Sequence, residues 1–237
     1  MSHRQEEKQR RREEREAREK AEKARAAARR RMQIAVGGLV GVAAIVVVAL
    51  LLSGTIGGSD GGDETAAAAP EAASNVTIPD QVIGDVKEAA KAAGCKLEHP
   101  EIEGAQHEER TFTEKDYKTN PPTSGNHFPN WSEDGVYPPG STPPLGELVH
   151  TLEHGRIDVQ YKPGTPQETV DQLNALLADM EDGYHLLLFE NATNMDAAVA
   201  ATAWGHSLTC PEMNDKVFDA IRTFRNEYVD KGPEQVP

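Results

Sequence analysis

Cysteine is nearly missing from this chain of 237 residues: only Cys95 and Cys210 occur, so at most one intrachain bridge can form. No cysteine follows Leu51-Leu52-Ser53-Gly54, where a lipoprotein leader would require one. Basic residues are scarce after position 31. The first 31 residues take 13 of the 25 Lys/Arg and 7 of the 39 Asp/Glu, which leaves 12 basic against 32 acidic residues beyond them. A domain of net charge about −20 repels phosphate backbones and excludes nucleic acid as a partner there. No G-x-S-x-G elbow surrounds Ser124, which lies in Thr123-Ser124-Gly125, a turn composition rather than a nucleophile setting. The charged stretch 4–31 has no apolar a/d seam, which excludes a coiled coil.

What is present sorts into four parts. Residues 1–31 are dominated by Arg, Glu, Lys, Gln and Ala, with Glu7/Arg11, Glu14/Arg18, Glu16/Lys20 and Glu19/Lys23 in the favourable i,i+4 order. This is a solvated charged helix that sets topology, or alternatively one that touches anionic lipid or a partner. Residues 32–52 carry no charge, and 21 helical residues span roughly 30 Å, the thickness of a bilayer core. An uncleaved transmembrane helix over 32–53 is expected, with a cleaved signal peptide as the alternative. The positive flank precedes the span, so the N-terminus belongs in the cytoplasm and the rest outside. Residues 54–78, rich in Gly, Ser and Ala, read as a flexible linker. The remaining 79–237 are long enough to bury a sizeable core. On that oxidising side Cys95 and Cys210 are expected to form a disulfide, or else remain two separate buried thiols.

Within 79–237 the apolar spacing predicts a helix over 80–93 closed by Gly94, and a short strand near 95–98. A long ordered loop over 99–140 follows, then a helix over 145–154 and a strand over 157–161. Thr165-Pro166-Gln167-Glu168 suggests a capping box that opens a helix bearing Val170, Leu173, Leu176, Leu177 and Met180. A buried strand is expected over 184–189. The stretch 197–204 suits a strand or, by its alanines, a helix. A last helix carries Val217, Ile221, Phe224 and Tyr228 and stops at Gly232-Pro233. This order predicts an α+β fold, a small mixed sheet with packed helices.

The chemistry concentrates between 121 and 155, where seven of the 15 prolines and three of the eight histidines fall. Proline fixes φ, so a proline-dense loop ending at His127 holds that histidine in place. On the helix over 145–154, Leu145, Leu148, Val149 and Leu152 share about a third of the circle, while His150, Glu153 and His154 take the opposite side. These polar groups are therefore solvated or roofed by another segment. His107, His127, His150 and His154 are the candidate ligands of a transition metal, Zn or Cu, which imidazole suits. Glu153 is a candidate orienter of those ligands, or a weaker candidate catalytic base. The plainer reading is that each histidine hydrogen-bonds a loop, with His154 capping its helix. His150-Thr151-Leu152-Glu153-His154 also fits H-x-x-E-H, the zinc pattern of inverted peptidases, but neither Glu190 nor Glu212 offers an obvious third ligand. His99, His185 and His206 look less engaged, and His185, next to a buried run, reads as a satisfied structural residue. The sequons at Asn75, Asn130 and Asn191 would matter only in a eukaryotic secretory host.

The strings PPTSGNHFP (121–129), GVY (135–137), LVHTLEHG (148–155), AWG (203–205) and GPE (232–234) resemble a prokaryotic family, domain of unknown function 3105. The resemblance covers about 82–234. It implies a membrane-anchored extracytoplasmic domain, names no reaction, and argues against the sequons being used. The sequence thus points to a single-pass membrane protein whose outer domain binds a transition metal through histidines. The rival reading is a cell-envelope interaction module without metal, docking a protein partner by its Pro/His loop. A zinc metallopeptidase is the minor alternative, and whether the protein is an enzyme stays open.

Overall fold

The computed structural model describes residues 67–70 and 76–234, all within one compact unit that spans 62–237. The charged helix and the membrane span expected over 1–53 lie outside the described residues. Among the described residues no helix is long and apolar enough to cross a membrane.

Six strands form one mixed sheet. They are β1 (Lys96–Glu98), β2 (Gly135–Val136), β3 (Ile157–Tyr161), β4 (Leu186–Glu190), β5 (Val199–Ala203) and β6 (His206–Cys210). Their spatial order is β1-β6-β5-β3-β4-β2. The pairs from β1 to β3 are antiparallel, whereas β3/β4 and β4/β2 are parallel. Four helices complete the α+β fold: α1 (Val86–Ala93), α2 (Leu145–Glu153), α3 (Gln167–Asp179) and α4 (Asp215–Tyr228).

Alternation along β3 divides the two faces. Ile157, Val159 and Tyr161 point with Leu186, Leu188, Ala201 and Leu208 into the main core, against Ala89 of α1, Leu173 and Leu176 of α3, and Val217, Ile221 and Phe224 of α4. Each fully buried leucine or phenylalanine contributes about 1.5–3 kcal/mol. The opposite face presents Leu187 and Phe189 to Leu148 of α2 and to Tyr137. Beyond it, Phe112, Tyr117 and Val149 gather with Phe128, Leu145 and Trp204 into a third cluster, which seats the long loop on α2. Helix α2 is thus caught between sheet and loop, and Gly146 and every residue from Leu148 to Glu153 are buried.

Several elements depart from expectation for local reasons. Helix α1 starts at Val86 rather than at 80, because the Asp85 side chain accepts from the backbone of Lys87 and Glu88 and ends the helix there. The preceding N–H groups of Val82 and Ile83 donate instead to Asp219 on α4, at 3.0 and 2.9 Å. Gly94 closes α1 in the left-handed region, φ 74°, as its position suggested. The capping box at Thr165 does not form. Its hydroxyl donates to Lys162 O at 2.6 Å and closes a turn, so Pro166 flanks α3 without a side-chain cap. The stretch 197–204 resolves as β5, and β6, which periodicity did not predict, pairs with it through the Trp204-Gly205 turn. Gly205 takes φ +72° there, a conformation that costs glycine nothing. Helix α4 ends at Tyr228, before Gly232-Pro233, and the chain from Val229 to Glu234 runs back along the end of α2.

The two cysteines form the Cys95–Cys210 disulfide. It joins the residue before β1, a three-residue edge strand, to the last residue of β6. Ala68, in the stretch read as linker, pairs with Val136 of β2 through bonds of 2.9 and 2.7 Å.

Candidate metal centre

The site begins with two loop segments that zip together. Glu103 N donates to Ser124 Oγ at 3.0 Å, Gly125 N to Gly104 O at 3.1 Å, His127 N to Gln106 O at 3.0 Å, and Glu108 N to His127 O at 2.8 Å. This ladder sets His107 beside His127 as a parallel bridge. The loop then crosses the start of α2, where Phe128 N donates to Gly146 O at 3.2 Å. A Cβ on Gly146 would stand 2.6 Å from the Phe112 ring and 3.1 Å from Phe128, so glycine permits this approach. Ser132 N donates to Thr151 Oγ1 at 3.1 Å and holds the loop over the rest of the helix. The polar side of α2 is therefore roofed, not solvated.

Under that roof His107, His127 and His150 lie with ring centroids 4.5 to 4.9 Å apart. Glu153 joins them: its Oε2 is 3.0 Å from His127 Nε2 and 3.6 Å from His107 Nε2. One donor atom from each of the four residues falls within 4.8 Å of all the others. His127 Nδ1 lies 2.8 Å from Gly125 O, and His150 Nδ1 lies 2.8 Å from Phe128 O. A carbonyl only accepts, so both Nδ1 atoms are protonated donors and both Nε2 atoms keep a bare lone pair. His127 Nε2 and Glu153 Oε2 are buried, close, and without hydrogen-bond geometry between them or to any other group. Buried polar atoms are seldom left so, and atoms that converge without bonding each other fit a cation placed between them.

His154 does not enter this set. It forms a second group with His150 and Glu234, again with donor atoms within 4.8 Å of one another, and its ring centroid lies 4.5 Å from that of His150. His154 Nε2 is 3.4 Å from Glu234 Oε2, and its Nδ1 is buried without a partner. Glu234 N donates to Glu153 O at 3.1 Å and Asp230 N to Gly155 O at 2.8 Å, which fastens the returning chain to the helix end. Gly232 presses so closely on Glu153 and Gly155 that a side chain there would collide with their backbone.

Burial shapes the protonation of these groups. Loss of solvent, more than the neighbouring imidazoles, pushes the His127 and His150 pKa down, and it takes His154 to about 4. The rings are neutral at pH 7, the form that ligates metal. Burial first, and then Glu234, pushes the Glu153 carboxyl up.

Of the residues expected at the site, His107, His127 and His150 come together, His154 stands next to them, and Glu153 sits among the donors rather than behind them. Three neighbours were not foreseen. Glu234 is remote in sequence. Trp131 covers His154 and His150 at 4.8 and 5.7 Å, and Trp204 meets His127 edge-on at 6.0 Å. Trp204 and Glu234 lie in the AWG and GPE strings, the one signal that marked them. Outside the site, His99 and His206 are more engaged than expected, and His185 is the satisfied structural residue expected beside a buried run. His99 Nδ1 and His206 Nδ1 are 2.7 Å apart with His206 stacked on Tyr228, and His185 Nδ1 lies 2.6 Å from Asp230.

No curated protein and no solved structure matches the chain. The family described as a protein of unknown function, DUF3105, matches residues 109–237, more than half of the sequence, and that match takes in His127, His150, Glu153, His154 and Glu234. The chain belongs to the domain of unknown function 3105 family.

Proposed function

We propose that this protein is a single-pass membrane protein whose extracytoplasmic domain binds one transition-metal ion, Zn²⁺ or Cu²⁺, at His107, His127, His150 and Glu153. The observation that carries the reading is the convergence of four donor atoms within 4.8 Å. It gains weight from the tautomers of His127 and His150, fixed by backbone carbonyls that act as the outer partners a ligating imidazole needs. Three neutral imidazoles and one carboxylate match the N/O donors of zinc and copper, which bind at about 2.0–2.2 Å. The ion would supply the positive charge that the buried Glu153 carboxylate lacks. Glu153 beside His127 and His107 stands where a ligand stands, which favours binding over the role of a free base in a peptidase. Three of the four donors are buried and only the His107 side chain is well exposed, at 41 %, which suits retention of an ion more than access of a peptide.

The test is the metal content and melting temperature of the full-length protein in mild detergent, with and without chelator, for wild type and His150→Ala. Wild type is expected to hold one ion and to melt lower after chelation. His150→Ala is expected to bind at least about 10–100-fold more weakly and still fold on its separate apolar core. If wild type holds no stoichiometric Zn²⁺ or Cu²⁺ after titration and chelator leaves its melting unchanged, the histidines are structural and the docking-module reading takes over.

A further inference from the structure

We infer that His154 and Glu234 form an outer station through which the ion reaches, and leaves, the inner site, with His150 as the ligand common to both. This deepens the metal reading and depends on it. The two donor groups share His150, whose Nδ1 is committed to the Phe128 carbonyl, so only its Nε2 can bind an ion. An ion on either group leaves the other without its middle ligand, and the stations are occupied in turn, not together.

Their contrast sets a direction. The outer group offers two imidazoles and one carboxylate, the inner group three imidazoles and one carboxylate. The charge around the ion is therefore the same in both, while the inner station adds a nitrogen, and it holds the ion more tightly. Among the outer donors Glu234 alone faces solvent, with its side chain 48 % exposed, whereas His154 is buried beneath Trp131. A hydrated dication meets the Glu234 carboxylate first. In the handover the ion keeps its bond to His150 Nε2. Its bonds to His154 and Glu234 break as bonds to His107, His127 and Glu153 form. The anchoring of Glu234 N on Glu153 O keeps the two backbones in fixed relation during this exchange.

Cu²⁺ is the probe, because it quenches tryptophan and both tryptophans of the chain lie beside the histidines. Stopped-flow quenching of the full-length protein gives the uptake rate, recovery of fluorescence in excess EDTA gives the release rate, and elemental analysis gives the stoichiometry. Wild type, Glu234→Gln and His154→Gln are each expected to hold one ion, with uptake and release slowed about tenfold in both variants. One ion per chain with wild-type exchange rates in both variants would overturn the relay alone, leaving direct loading past His107. Two ions on wild type would overturn alternating occupancy. No ion on wild type would overturn the metal reading itself.

Discussion

At the scale of single residues, what the side chain does depends on which atoms surround it. His127 and His150 were visible as candidates by residue type and helical position. Their usable nitrogen was not visible, because it follows from the Gly125 and Phe128 carbonyls that take Nδ1. Asp158 shows the same dependence from the opposite side. It alternates with Ile157 and Val159 on β3, so it turns to the α2 face, where it is buried with Oδ1 unpartnered. Burial, and secondarily Asp134, pushes its carboxyl well above the ordinary range. The folded chain thus keeps a proton that the unfolded chain loses near about pH 3.9. Above that pH the folded state binds more protons than the unfolded one, so stability falls as pH rises until Asp158 ionises in the fold as well. Asp158→Asn is expected to flatten this loss and to melt no lower than wild type at pH 8. A variant that melts lower at pH 8 with an unchanged slope of melting temperature against pH would contradict the assignment.

At the scale of elements, helices and most strands could be read from period, and their neighbours could not. The wheel of α2 separated Leu145, Leu148, Val149 and Leu152 from His150, Glu153 and His154 correctly, yet could not tell a solvated polar side from a roofed one. That outcome belongs to the loop over 99–140, which has little periodicity and is ordered by scattered hydrogen bonds across about 20 residues of chain. Strand β6 escaped because His206-Ser207-Leu208-Thr209-Cys210 has few apolar residues, and pairing with β5 decides its state. The Cys95–Cys210 bridge ties the edge strand β1 to its weakly signalled neighbour β6. Closing a loop whose ends are 115 residues apart is worth at most ~5 kcal/mol in the chain-entropy model. The double variant Cys95→Ser/Cys210→Ser is expected to fold but to melt several degrees lower. Denatured, unreduced wild type should take up no alkylating reagent, and two labels per chain would refute the bridge in the protein.

At the scale of the whole molecule, the expected topology rests on the net +6 charge of residues 1–31 ahead of the uncharged stretch 32–52. Protease added to intact spheroplasts is expected to degrade the domain at 79–237 and to spare residues 1–31; protection of that domain would reverse the orientation. Local order along the chain determined what depends on neighbours a few residues apart: the α+β class, the positions of α1 to α4, the Gly94 stop, and the gathering of histidine types between 121 and 155. Hydrophobic period, turn residues and charge runs act over such distances, so the linear text carries them. Tertiary structure alone decided which donors meet. Glu234 reaches His154 because the chain after α4 returns along α2, and His107 reaches His127 because two aperiodic loop segments pair. Contacts between residues 20 to 80 positions apart are set by how the sheet and its helices pack, and no local pattern encodes them.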